Sequence, residues 1–394
     1  MIGALGRRVA HRLGLLTGPE RFEVMAQLAR SGPAALTGDG PARADSRRLR
    51  IAVVIPDFRR GSGGLTTILA LVRGLSARGH ACSLWFEDPR RRAGDSGGDV
   101  ARRLADSFGF SEAPAHEGFA GWSGADVVVA TGWETVARTQ LLPDCSAKAY
   151  LVQDYEPDFF AASAEAHWAE RSYAQGLHHI TAGPWLATML RDRYGAVADH
   201  FDLGVDHEVY RPGRTPRRSD TIAFYARRAT PRRAVPLGLL ALAELHRTRP
   251  GLRFVLFGEE QPFRASFPYR HAGVLREPEL AALYAEATVG IALSMTNYSR
   301  TSQEMMASGL PCIELDSPSV RAAFAGSDAP VLTSFDPIAL ARLAGDLLDD
   351  APRRHALAEA GLGLVAGRTW ERATEQVEDA LRKALKAGGR VPIA

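Results

Sequence analysis

Two series of short, unbroken apolar runs, each run followed by a helix-like stretch, constrain this 394-residue chain more than any other feature in it. The first series holds RIAVVIP at 50–56, ACSLWF at 81–86, DVVVA at 126–130, KAYLVQ at 148–153 and HITA at 179–182. The second holds TIAFY at 221–225, RFVLF at 253–257, VGIAL at 289–293 and CIEL at 312–315. Strands that are apolar on both faces belong to parallel sheets covered by helices. The intervening stretches supply those helices. In 65–78, Leu65, Ile68, Leu69, Val72 and Leu75 fall at helical spacing and Gly79 stops the run. Others are expected over 184–194, 236–247, 278–287, 338–348 and 351–365. The alternation predicts an α/β chain of two facing, doubly wound, Rossmann-like domains. Residues 206–220, with Pro212, Gly213, Pro216 and several Arg, have linker composition. The division is then an N-terminal helical extension over 1–48, a first domain over 49–210, a second over 211–369, and a polar amphipathic helix over 370–394 that crosses back to the first.

Composition narrows the function classes. A net charge of +3 does not call for nucleic acid, and the basic residues are spread rather than striped. They are nearly all Arg, with Lys only at 148, 383 and 386. The three Cys, at 82, 145 and 312, have no paired spacing, which disfavours a disulfide framework or a zinc site and suits a reducing cytoplasm. His178 and His179 adjoin a strand and have no ligand spacing. No apolar stretch approaches the ~18 residues of a membrane span. The first 18 residues read as a short basic amphipathic helix, packed on the body or resting on an anionic membrane surface, rather than as a signal peptide.

The stretch SMTNYSRTSQEMMASGLP at 294–311 stands where function is expected. It follows an apolar strand, becomes a polar loop, and enters a helix near Thr301 or Ser302 with Glu304 in the first turn. Strand ends that turn into helix N-termini are where open α/β sheets bind ligands.

Several segments, in order, resemble glycosyltransferase family 4. Gly63 and Gly64 ahead of a helix ending in ARGH at 77–80 are similar to that family's first βαβ unit. FYAR at 224–227 followed by Arg232 and Arg233 resembles its phosphate-binding segment, and HAGV at 271–274 with ELAALY at 279–284 its nucleobase loop and next helix. EMMASGLP at 304–311 resembles the end of its glutamate motif. With QDYEP at 153–157 and TNYS at 296–299, the chain is most similar to the WsaF-like rhamnosyltransferases, over roughly residues 50–375.

The resemblance implies a GT-B fold and a retaining, metal-independent transfer from a nucleoside-diphosphate sugar, with dTDP-rhamnose the expected donor, to a glycan, polysaccharide or lipid-linked acceptor. The diphosphate would be met by Arg227 with Arg232 or Arg233, and its approach eased by Gly61, Gly63 and Gly64. Glu304 would accept from the ribose, and Gly273 and Val274 would lie at the base. The family's first glutamate should stand eight residues before Glu304, where this chain has Thr296; Thr296, Asn297 and Ser299 then face the sugar as neutral hydrogen-bonding groups. Gln153 stands where many relatives have a His, and Asp154 or Glu156 either orients the acceptor or is structural. Trp133, Tyr155, Phe159, Phe160 and Trp185 are core or a sugar platform. Two other readings remain: an epimerase acting on a nucleotide sugar, and a non-catalytic nucleotide-sugar-binding subunit. The expected location is cytoplasmic, with peripheral contact at the inner membrane face.

Overall fold

A computed structural model of the protein describes residues 22–56, 63–87, 100–213 and 217–388. The expected basic helix over 1–18 and Gly61 lie outside the described residues. The chain divides into two compact units. One runs through Leu151 and adds Trp168–His178 and the chain from Leu381; the other comprises Val152–His167 and His179–Ala380.

The first series of apolar runs forms β1 (Arg50–Ile55), β2 (Ala81–Phe86), β3 (Ala115–Glu117), β4 (Ala125–Ala130), β5 (Cys145–Val152), β6 (His178–Ala182) and β7 (Ala198–Phe201). They make one seven-stranded sheet in the order β3-β2-β1-β4-β5-β6-β7. The central strands β1, β4 and β5 are buried almost throughout, which is why they read as continuous apolar runs. The sequence reading missed β3, whose AHE is too short and polar to register as a run.

The second series forms β8 (Thr221–Tyr225), β9 (Arg253–Phe257), β10 (Arg270–Gly273), β11 (Val289–Ile291), β12 (Cys312–Leu315) and β13 (Val331–Thr333). All five pairings in the order β10-β9-β8-β11-β12-β13 are parallel. From β8 the chain winds outward through β9 to β10, then returns to place β11 on the other side of β8. The carboxyl ends of β8 and β11 therefore flank the switch point, where a doubly wound sheet opens a crevice. Beneath it the core joins Ile222, Phe224, Phe254, Leu256, Ile291 and Ile313 to the helices Val235–Thr248 and Pro337–Asp349.

Two expectations change. HAGV at 271–274 was expected as a loop, yet Arg270–Gly273 pairs with β9 as the edge strand β10; its polar residues hid it. The helix after β11 spans Arg300–Ala307, one residue earlier than expected, because Ser299 caps it by accepting from the Thr301 amide. Glu304 is thereby the fifth helical residue rather than a first-turn carboxylate, so the helix dipole does little for it.

In the first unit, the segment before β1 is laced to the body. Ala34 and Thr37 amides donate to the carbonyls of Gln140 and Cys145, each at 2.8 Å. The buried Lys148 ammonium donates to the carbonyls of Ala34 (3.1 Å) and Gln140 (2.6 Å). Arg382, near the end of the helix Trp370–Lys386, donates to the carbonyls of Ala44 (2.6 Å) and Ser46 (2.9 Å). All three cysteines are buried and free.

Candidate functional site

The second unit gathers most of the residues singled out in the sequence at the carboxyl ends of β8 and β11. After β8 the chain turns outward at Arg227, forms a 3-10 turn over Pro231–Arg233, and enters the helix Val235–Thr248 through Ala234. Ala234 holds φ +46, a left-handed conformation unusual for a residue with a Cβ. This strained joint fixes where Arg232 and Arg233 leave the backbone. Two contacts pin the turn. The Ala229 amide donates to Glu259 Oε2 at 3.1 Å, and the Met295 amide donates to the Arg232 carbonyl at 3.0 Å, tying the loop after β8 to the loop after β11.

Arg232 and Arg233 diverge in their partners. Arg232 Nε lies 2.8 Å from Asp154 Oδ2, and its guanidinium sits 4.0 Å above the Phe159 ring. Nε makes no well-aligned hydrogen bond, so charge holds this pair more than directionality. Burial pulls the Arg232 pKa down and the Asp154 charge opposes that pull. Arg233 Nη1 instead donates to Ser294 Oγ at 2.6 Å, and its Nε is buried without a hydrogen-bond partner. Ser294 Oγ in turn donates to Glu314 Oε1 at 3.3 Å. Glu314 lies within β12 with no exposure at all, a position the sequence reading took for plain strand. Burial raises its pKa to about 7, with Arg233 as the largest opposing influence.

Asp154 is fully engaged. Its Oδ1 accepts from the amides of Asn297 (2.9 Å) and Tyr155 (3.0 Å), while Oδ2 faces Arg232. Of the two roles left open for it, the geometry favours the structural one, a knot between the loops after β5, β8 and β11. Glu156 is buried in the 3-10 turn Glu156–Phe159. Gln153 receives the Asn297 amide on its carbonyl at 2.9 Å.

The loop 296–299 is largely structural too. Asn297 Nδ2 also donates to the Ala182 carbonyl at 2.8 Å, and the Tyr298 hydroxyl accepts from the Leu203 amide at 3.2 Å. The Tyr298 ring occupies the space above Gly183, where an added Cβ would lie 2.5 Å from it. Ser299 is spent on the helix cap. What remains unpartnered and buried is Thr296 Oγ1 and Asn297 Oδ1. Buried polar atoms without partners are uncommon, and here they suit a ligand's hydroxyls.

Glu304 is buried and paired with Arg300, one turn earlier, at 2.7 Å. Burial raises its pKa and the Arg300 charge opposes the rise. Two buried tyrosine hydroxyls, of Tyr210 and Tyr284, have no partner, and Glu304 raises the pKa of both beyond the effect of burial. Neither Arg300 nor Tyr210 stood out in the sequence. Gly273 ends β10 at φ +71, its carbonyl accepting from Gly258, and Val274 beyond it is exposed. Gly63 and Gly64 belong to the other unit, where they open the helix Gly63–Ala77; a Cβ on Gly63 would meet nothing. Of the expected aromatic platform, Trp133 and Tyr155 are buried, and Tyr155 shares a 2.8 Å hydrogen bond with Tyr194. Phe159 is exposed beneath Arg232.

Residues 220–339, which hold β8 to β13 and the arginine turn, match the family model of the WsaF C-terminal domain. This segment is similar to the WsaF C-terminal domain. A curated relative, the O-antigen biosynthesis protein RfbC of Myxococcus xanthus, is 28% identical over 356 residues, covering 88% of this chain. The chain spans only 28% of that relative's length. Among solved structures, sucrose-phosphate synthase from Thermosynechococcus elongatus matches with a TM-score of 0.64 at 15% identity, over 86% of this chain and 99% of that one. Anabaena HepE, solved with UDP and glucose, matches at 0.65 and 12%, over 85% and 100%. WaaG, a glycosyltransferase involved in lipopolysaccharide biosynthesis, matches at 0.59 and 12%, over 84% and 98%. At such identities the likeness establishes the fold alone, and that fold is GT-B.

Proposed function

We propose that this chain is a glycosyltransferase of surface-polysaccharide assembly, taking its sugar from a nucleoside-diphosphate donor bound at the β8/β11 switch point. One observation carries the reading. Arg232 is held by Asp154 and Arg233 by Ser294, the loop after β11 that Ser294 opens also carries the buried, unpartnered oxygens of Thr296 and Asn297, and Arg227 lies just past the end of β8. That arrangement offers cationic donors for a diphosphate and neutral acceptors for sugar hydroxyls. The relative's O-antigen role and the UDP-bound neighbour support it.

In the proposed reaction the acceptor hydroxyl attacks the anomeric carbon on the face the diphosphate leaves, so configuration is retained. The new bond joins acceptor oxygen to that carbon, the carbon–phosphate-oxygen bond breaks, and the leaving diphosphate takes the acceptor's proton. Arg227, Arg232 and Arg233 neutralise the charge that builds on the leaving group, without a metal. Thr296 in place of a carboxylate fits a donor that presents fewer hydroxyls, such as a 6-deoxyhexose, and dTDP-rhamnose is the first candidate. The acceptor is a glycan, free or lipid-linked. Among the described residues no helix is long and apolar enough to cross a membrane. Cytoplasmic placement, with peripheral membrane contact through residues 1–18, remains part of the proposal.

The test is a panel of nucleoside-diphosphate sugars with a pool of glycan acceptors, with and without chelator. Release of nucleoside diphosphate that depends on acceptor and ignores chelator is the expected result. Donor turnover without acceptor would instead indicate an epimerase, and donor binding without turnover a non-catalytic subunit.

A further inference from the structure

We propose that Glu314 is a positioning residue that holds Arg233 through Ser294 and competes with a bound diphosphate for the guanidinium charge. The inference rests on the donor site just described but concerns a residue that touches no donor.

The geometry is a relay from three elements, two buried groups, Ser294 and Glu314, ending on the half-buried Arg233. A serine hydroxyl has one proton. Ser294 Oγ gives it to Glu314 Oε1 at 3.3 Å and so turns its lone pairs toward Arg233 Nη1, which donates at 2.6 Å. Glu314 and Ser294 are completely buried. A carboxylate inside a sheet is costly unless it is compensated. The groups facing it are Arg233 from the 3-10 turn, Ser294 after β11, Ser302 in the helix Arg300–Ala307, and on its own strand Cys312 and the Leu315 amide, which donates to Oε2 at 3.3 Å. Arg233 is the only cation among them. Glu314 therefore does two things: it fixes the rotamer of Arg233 and it screens the Arg233 charge.

An anion arriving at Arg233 upsets this balance. It draws off the attraction that keeps Glu314 ionised and adds repulsion of its own, and both effects favour protonated Glu314. A proton taken up there has a place to point. Ser302 Oγ already donates to the Ser299 carbonyl at 2.7 Å, so its lone pairs can receive from a neutral carboxyl. With the Glu314 pKa at about 7, anion binding is then linked to proton uptake near neutral pH. The sign follows: affinity for a diphosphate falls as pH rises through 7, because the competing carboxylate reforms.

The experiment titrates dTDP-glucose and UDP-glucose into the full chain at pH 6, 7 and 8, in buffers of different ionisation enthalpy, for the wild type and Glu314→Gln. These probes are phosphodiesters and do not themselves titrate in this range. The wild type is expected to take up protons on binding and to lose roughly three- to tenfold in affinity from pH 6 to 8. Glu314→Gln keeps the shape and an acceptor for Ser294, and is expected to bind with little pH dependence and no proton uptake from this site. Ser294→Ala, a second variant, should weaken binding about fivefold at pH 6 by releasing Arg233. Equal pH dependence in wild type and Glu314→Gln overturns the inference while leaving the donor site standing. If Glu314→Gln does not fold, Ser294→Ala binding as tightly as wild type at pH 6 overturns it instead. Absence of binding by the wild type to any donor sinks both.

Discussion

Arg227, Arg232 and Arg233 lie within seven residues of one another, yet the fold gives them different circumstances. Arg227 begins the outward turn, Arg232 is clamped by Asp154 and Phe159, and Arg233 is clamped by Ser294. Arg227→Ala should cut turnover by roughly two to three orders if it acts as one donor to the developing diphosphate charge; a loss under fivefold in steady-state kinetics removes it from the site. Asp154→Asn is a different experiment. It leaves Arg232 without its counter-charge and is expected to cost about 2–3 kcal/mol in urea unfolding, below the full value for a wholly buried pair, since the Arg232 side chain is 26% exposed. A catalytic base would lose rate with stability intact. Glu314 adds a pH signature. Its folded pKa, about 7, lies above the ordinary glutamate value of 4.5, so the folded state holds the proton more tightly. Its contribution is fully present below pH 4.5 and lost as pH rises through 7, on the order of 3 kcal/mol in all. Melting temperatures of wild type and Glu314→Gln should therefore diverge as pH increases, with the variant the more stable above pH 7.

The arginine turn and the loop after β11 are held by elements distant in sequence. Tyr298 packs over Gly183 at the end of β6, and Asn297 reaches the carbonyls of both Gln153 and Ala182. Gly183 has φ +91, which a side chain resists, and its Cβ position is already filled by the Tyr298 ring. Gly183→Ala should therefore cost about 2–4 kcal/mol from backbone strain and overpacking together. It should also weaken donor binding, because displacing Tyr298 moves Asn297 and Thr296 with it. Calorimetric titration of the folded variant separates the two effects; donor affinity unchanged from wild type would show that this loop does not shape the site. The helix Arg300–Ala307 owes its early start to the Ser299 cap, and that start is what places Arg300 one turn before Glu304.

Over the whole chain, the first unit is closed by segments far apart in sequence. Residues before β1 and the end of the final helix both depend on side chains that satisfy backbone carbonyls: Lys148 for Ala34 and Gln140, Arg382 for Ala44 and Ser46. Lys148 is buried and its pKa is lowered by that burial, yet two carbonyls hold its ammonium. Lys148→Met keeps the bulk and removes the donors, so it should destabilise the fold by about 2 kcal/mol. Limited proteolysis should then cut first near residues 31–40; an unchanged cleavage pattern would show that Lys148 does not secure this segment.

What the sequence determined was the part governed by local period and strand-end chemistry. Continuous apolar runs specified nine of the strands, because strands buried on both faces have no polar alternation to obscure them. The short strands β3, β7, β10 and β13 are the sheet edges and carry no such signal, β3, β7 and β10 because they are polar and β13 because it is only three residues long. The arginine segment and the loop at 296–299 were legible as a candidate site because strand ends that lead into helices repeat a recognisable grammar. Only the tertiary structure could decide how those residues are used. It committed Asp154, Asn297 and Ser299 largely to holding loops together, split Arg232 and Arg233 between Asp154 and Ser294, and set Glu314 beneath Arg233. The reason is physical: a buried carboxylate in a strand is indistinguishable in sequence from one at the surface. Its role is fixed by the cation that packing brings to it from residues far away along the chain.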